Sequence, residues 1–263
     1  MKNNKEYAIL ADYLSKLLKK NIREDARTPF KYRKINIETG ILSQANGSAR
    51  VKIGDTEVLV GVKIGVGVPF ADNPNDGVLM VNNELSPIAS DDFEPGPPSP
   101  ESIELARVID RTIRESGTID TSKLCIIPKE KVWMVFVDMY PVNNDGNLFD
   151  AGLLGAIAAL KTARLPKFDK KTGTVDHRTI TKDTLPIMEE PLLCTFGKLD
   201  SSLFVDPTIR EEKAMNCRIS IGITKSGNVC AMQKGGEGSM TAKEVSDLVE
   251  KAIVLSKDLR KNL

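Results

Sequence analysis

The feature that most restricts the fold is an order of segments: short alternating apolar runs followed by a helix, met once in each half of the chain. Residues 35–42 (INIETGIL), 48–54 (SARVKIG) and 56–68 (TEVLVGVKIGVGV) have the period-two texture of strands, with Gly54-Asp55 as a tight hairpin turn. Residues 131–140 (KVWMVFVDMY) are apolar on both alternating faces, which predicts a central strand covered on each side, with Trp133 in the core. The Ala-, Gly- and Leu-rich run that follows predicts a closely packed helix starting near Asp150, with Asp150 as its cap.

After residue 189 the pattern restarts, with strands at 191–199 and 201–208 and a hairpin in 217–234 that turns at 225–228. Thr241 and Glu244 form a capping box before a last helix with Val245, Leu248, Val249, Ile253 and Leu255 as its buried stripe. The repeat predicts an α+β fold of two related sheet-plus-helix halves. The expected layout is an N-terminal helix and lead-in (1–30), a first domain (31–166), a connector (167–188) and a second domain (189–263).

One further helix carries the most suggestive charges. In residues 102–117 (SIELARVIDRTIRESG), Ile103, Ala106, Ile109 and Ile113 recur at helical spacing, with Leu105 and Val108 widening the apolar face. Ser99 or Ser102 can cap it. Arg107, Arg111 and Arg114 fall at i, i+4 and i+7 on one side, a track suited to phosphates. Glu104, Asp110 and Glu115 are close enough to pair with them, so a solvated charged face competes with that reading.

Other candidates weigh less. The GVGV run is no dinucleotide fingerprint, because Pro69 and a polar loop follow instead of a helix. Residues 70–77 and 90–100 read as loops, the second acidic at Asp91, Asp92 and Glu94, where an exposed loop outweighs a magnesium site. His177, the one histidine, lies in the basic stretch 161–183 and reads as a loop residue, neither base nor metal ligand. Arg23, Asp25 and Arg27 read as salt bridges fixing the approach to the first sheet rather than as a phosphate site. Glu211 and Glu212 read as a solvated pair on an exposed turn.

Charge is balanced, 37 basic against 36 acidic residues, so no global field draws the chain to nucleic acid or membrane and any RNA site must be a local patch. Four cysteines lie far apart without a CxxC pair, which fits a reduced cytoplasmic chain better than a zinc knuckle or a disulfide framework. The N-terminal MKNNKEYAIL lacks an apolar signal core, and no window approaches the ~18 apolar residues of a membrane span. The expectation is a cytoplasmic protein with no cofactor and no membrane partner.

REDAR, GSARVKIGDTEVLVGVKIG, SIELARVIDRTIRES, VDMYPVNNDGNLFDAGLLGAIAAL and SLFVDPTIREE together resemble the RNase PH family, and within it the non-catalytic RNase PH-like subunits of the archaeal exosome. The resemblance spans about residues 23–253; Ala26 stands where many relatives have glycine in an RxDGR-like motif. It implies the RNase PH fold. Active members resemble one another as phosphorolytic enzymes that shorten RNA from its 3′ end, releasing nucleoside diphosphates.

The resemblance also implies which parts this chain lacks. Active relatives carry Ser or Thr and then Arg after the DAG-like helix start, a seat for phosphate, where this chain has Leu153 and Leu154. Their catalytic carboxylate falls near residues 216–218, here Asn-Cys-Arg. The expectation is therefore a chain with no catalytic or metal-binding residues of its own, not itself an enzyme. It would alternate with a catalytic RNase PH-like subunit as three heterodimers in a hexameric ring, beneath RNA-binding cap proteins. Its part would be to shape the partner's active site and to hold single-stranded RNA through Arg107 and Arg111, leaving Arg114 open. Two alternatives stand beside it: an autonomous exoribonuclease with a phosphate site built from Arg23, Arg27 and the Asp91-Asp92 loop, and a purely structural ring spacer.

Overall fold

The computed structural model describes residues 4–169 and 172–263, without the side chains of residues 4, 5, 177 and 178. The chain opens with α1 (Asn4–Lys19), whose Leu14 and Leu18 are buried, and then reaches β1 (Ile35–Thr39), β2 (Gly47–Ile53) and β3 (Thr56–Gly67). β2 and β3 form the expected two-residue hairpin, Ile53 opposite Thr56. Gly54 takes φ +59° there and Asp55 does not turn positive, the pattern of a turn that needs glycine at its first central position.

β4 (Val78–Asn83) comes next and has no counterpart among the strands that the sequence predicts; it pairs in parallel with the later β6. α2 (Pro100–Glu115) is the arginine helix, capped by Ser99, whose hydroxyl accepts the Ser102 N–H, with Pro100 at a position that needs no amide donor. Its buried face is Ser102, Leu105, Val108, Ile109, Thr112 and Ile113, so the apolar stripe is rotated from the expected one: Ile103 is 53% exposed.

β5 (Cys125–Ile127) and β6 (Lys131–Asn143) complete a sheet ordered β1-β2-β3-β6-β4, with β5 on β6. β6 is central, as expected, but it is not covered on both faces. Val135, Val137 and Met139 lie in the apolar core on one face, with Trp133 at its edge, whereas on the other face Val132 is buried but Met134 and Phe136 keep partial exposure and Tyr140 is exposed. Trp133 packs against the core and meets the Phe168 ring edge-on at 6.0 Å, a packing role.

α3 (Leu148–Thr162) is buried all round, which its alanines and glycines permit. A methyl group at Gly155 would stand 2.6 Å from Val60, and one at Gly152 2.8 Å from Ile109, so these two positions set how closely the helix meets its neighbours. Asp150 is not its cap. The cap is Asn147 in the left-handed region, and Asp150, in the first turn, points instead into a buried polar cluster.

The stretch expected to be a loop-like connector is a hairpin, β7 (Arg164–Asp169) and β8 (Thr174–Thr184), whose polar faces hide its strand character. His177 therefore lies on a strand, and its side chain is outside the described residues.

The second half adds β9 (Leu192–Leu199), β10 (Ser202–Val205), the short helix α4 (Ile209–Ala214), β11 (Cys217–Ile223), β12 (Val229–Gly235) and α5 (Ala242–Leu259). Its sheet runs β10-β9-β11-β12, and the Thr241–Glu244 capping box opens α5 as expected. α3 touches β2 and β3 on one side and β9 on the other, so it lies between the two sheets. One continuous apolar cluster, from Val51 and Val60 through Leu154 to Ile221 and Leu248, joins both halves.

Candidate functional site

Two groups of arginines bear on the candidate site. The first is buried and neutralised. Arg23 donates to both carboxylate oxygens of Glu211 and to the carbonyls of Val205 and Asp206. Arg27 pairs with Asp25 at 2.6 Å and Asp206 at 2.8 Å, while Arg33 pairs with Asp206 at 2.7 Å and Asp145 at 3.0 Å. Burial works to raise the Asp206 carboxyl, but the hydrogen bonds and charge of Arg33 overrule it and hold it below the usual carboxylate range. The cluster ties the lead-in segment to the second sheet, a wider role than fixing the first sheet. Arg23, Arg27 and Arg33 are thus each committed to a carboxylate and closed to phosphate.

This cluster also explains two glutamates that the sequence alone misplaces. Glu211 and Glu212 are not a solvated pair. Thr208 caps α4 through a reciprocal box with Glu211, which is 3% exposed and points at Arg23. Glu212 follows on the inner side, and its Oε1 accepts the backbone N–H of Asn147 at 2.8 Å. Desolvation pushes the Glu212 carboxyl up to about 7, opposed by that hydrogen bond and by the charges of Arg218 and Arg33.

The place where a phosphate seat would lie is thus filled. At the start of α3, Asn147 presents its N–H to Glu212 and its side-chain amide to Asp150 and Asp206. Asp150 accepts further from Tyr32, the Thr195 N–H and the Thr195 hydroxyl, and burial lifts its carboxyl to about 6. Leu153 and Leu154 are 0% and 1% exposed, facing the core. A helix N-terminus attracts anions, but this one is already surrounded by the chain's own carboxylates, whose charge would repel another.

The segment 216–218 offers no free acid either. Asn216 accepts the Asp200 N–H, Cys217 is buried, and Arg218 pairs with Glu104 of α2 at 2.5 Å while lying over the Phe149 ring at 4.2 Å. The acidic loop is engaged as well, with Asp92 paired to Lys213 at 2.8 Å. Glu212, with a carboxyl raised to about 7, is the group whose titration most resembles that of a general acid or base. Its hydrogen bond to the Asn147 backbone commits it to the junction between α3 and α4.

The second kind of arginine is exposed on α2. Arg107, Arg111 and Arg114 all reach solvent, but they differ in company. Arg114 pairs with Asp110 at 2.7 Å and donates to the Leu79 carbonyl, which makes it a structural residue that holds α2 to β4. Among the described residues Arg111 has the Gln233 side-chain carbonyl, at 3.4 Å, as its one side-chain hydrogen-bond partner, and Arg107 has no ion pair. Glu104, one of the acids expected to neutralise the stripe, is taken by Arg218. What remains is two unneutralised guanidinium groups one helical turn apart, separated by about 6 Å along the axis.

A family model described as 3′ exoribonuclease family, domain 1, matches residues 31–166, and a second, 3′ exoribonuclease family, domain 2, matches residues 190–254. The chain is 46% identical to exosome complex component Rrp42 of Methanothermobacter thermautotrophicus, over 95% of this chain and 94% of that one. It is 45% identical to exosome complex component Rrp42 of Pyrococcus furiosus, over 96% and 92% of the two chains. Among solved structures, a chain of the Archaeoglobus fulgidus exosome with RNA bound to the active site superposes with a TM-score of 0.90 at 41% identity, covering 97% of this chain and 98% of that chain. Rice Rrp46 shares the fold at a TM-score of 0.68 and 19% identity, over 91% and 97% of the two chains.

Proposed function

The chain belongs to the 3′ exoribonuclease family built on the RNase PH fold, and from that premise we propose that it serves the exosome as a non-catalytic subunit that grips RNA. It alternates with a catalytic RNase PH-like subunit in a cytoplasmic hexameric ring. There it shapes the partner's active site and guides single-stranded RNA, while cap proteins bind RNA on one face. The Rrp42 relatives named as exosome components and the likeness to an RNA-bound exosome chain support the assembly. The closed α3 N-terminus and a segment 216–218 without an acid support the absence of chemistry.

The observation that carries the RNA role is the contrast among arginines. Arg23, Arg27, Arg33, Arg114 and Arg218 are each paired with a carboxylate, whereas Arg107 and Arg111 are exposed without one among the described residues. Charged groups left unneutralised beside each other favour a polyanion, and phosphates are common to every sequence, so sequence preference should be small and salt sensitivity marked.

The test is Arg107→Glu with Arg111→Glu in the ring reconstituted with the catalytic subunit. RNA affinity should fall about tenfold or more. The slope of log affinity against log salt should shrink by about 0.7 for each phosphate that the ring no longer neutralises, with the ring still assembled. Unchanged affinity at matched salt would remove the RNA role and leave a structural spacer.

A further inference from the structure

We propose that Arg218, in the segment 216–218 that holds no acid, positions Arg111 for RNA through Glu104 and Gln233; this rests on the RNA role of Arg111. The chain of contacts is continuous. Arg218 on β11 donates to Oε2 of Glu104 on α2 at 2.5 Å. The other oxygen of Glu104 accepts the amide of Gln233 on β12 at 3.2 Å. The Gln233 carbonyl, so oriented, faces the Arg111 guanidinium at 3.4 Å. Each partner fixes the next: the Glu104 carboxylate makes the Gln233 amide donate inward, which turns its oxygen outward toward the arginine.

Two further features hold the root of this relay. Arg218 lies over the Phe149 ring at 4.2 Å, and Phe149 is anchored in the first turn of α3. Gly235 is the cross-strand partner of Arg218, and a methyl group there would stand 2.8 Å from the Arg218 Cζ, so the absent side chain leaves the room in which the guanidinium lies. The relay commits the Glu104 charge to Arg218 and so keeps it from Arg107, three positions on; Arg111, seven positions from Glu104, is reached only through Gln233. Arg107, one turn earlier, is not among the contacts of Gln233, so its own share of binding does not pass through that side chain.

The independence of Arg107 gives the test. RNA affinity is measured by titrating labelled oligoadenylate into the reconstituted ring, for Gln233→Ala alone and in Arg107→Ala and Arg111→Ala backgrounds, at one salt concentration. Alone and with Arg107→Ala, Gln233→Ala should weaken binding about two- to fivefold; with Arg111→Ala it should add nothing. Gly235→Ala, which displaces Arg218 without removing a charge, should weaken binding by a similar factor in the Arg107→Ala background and add nothing once Arg111→Ala is also present, and circular dichroism checks that each variant is folded. An equal weakening in the Arg111→Ala background, or none in the parent ring, would overturn the relay while the RNA role of Arg111 stands. No effect of Arg111→Ala itself would overturn both.

Discussion

The backbone N–H of Asn147 donates to the Glu212 carboxylate at 2.8 Å, so the end of α3 that a phosphate would seek is capped from within the chain. That single hydrogen bond joins the first half to the second and makes phosphate binding there unfavourable on geometry and on charge.

Rebuilding a phosphate seat at this helix should fail for a structural reason. Leu153 and Leu154 are wholly buried, so Leu153→Ser leaves a cavity with an extra hydroxyl and Leu154→Arg places a charge in the core. The pair should cost on the order of 5 kcal/mol or more, a large part of a domain's stability. Leu153→Ser alone should cost about 3 kcal/mol. Thermal melting reads both effects, and neither variant should release nucleoside diphosphates. A stable double variant would contradict the burial described for these leucines.

The junction carboxyls make stability depend on pH. Burial raises Asp150 to about 6 and Glu212 to about 7, above their unfolded values of 3.8 and 4.5, so the folded state binds protons more tightly at these two sites. A raised carboxyl favours the folded state when protonated. Its penalty begins as pH climbs past the unfolded value and is complete above the folded one. For Asp150 the lift corresponds to roughly 3 kcal/mol. Glu212→Gln should therefore melt higher than the parent at pH 8, the difference closing toward pH 5. An equal gain at both pH values would mean that ionisation is not the cause.

Ala26 sits at φ +63°, in the left-handed region, where the family resemblance has glycine. A non-glycine residue costs about 1 kcal/mol or slightly more there, partly offset by the lower entropy of its unfolded chain. Ala26→Gly should raise stability by about 0.5 kcal/mol by chemical denaturation, with RNA binding unchanged. A drop in stability would show that the turn between Arg23 and Arg27 is relaxed as it stands.

Much of this fold is legible in the sequence because its signals are local. Gly54 at the turn, the Thr241–Glu244 box and the small residues of α3 each act within a few positions. What escapes depends on partners distant in sequence. β4 exists because it pairs in parallel with β6, a pairing no hairpin signal announces. Glu211 is buried by Arg23, 188 positions away, and Glu104 is claimed by Arg218, 114 away. The arginine stripe is legible as a stripe, but which members stay free is decided by those remote acids. The double-sided apolar texture of β6 suggests cover on both faces, although only the face with Val135 and Val137 is under the helices. The hairpin β7–β8 resembles a connector because charged and polar residues interrupt both strands, and the partner of its Phe168, Trp133, is remote in sequence.

The central claim is a division of labour, and it is tested by incubating 5′-labelled single-stranded RNA with magnesium and phosphate, first with this chain alone and then with the catalytic RNase PH-like subunit added. Intact RNA in the first reaction and nucleoside diphosphates in the second is the expected result. Diphosphates released by the chain alone, in proportion to its concentration, would contradict it.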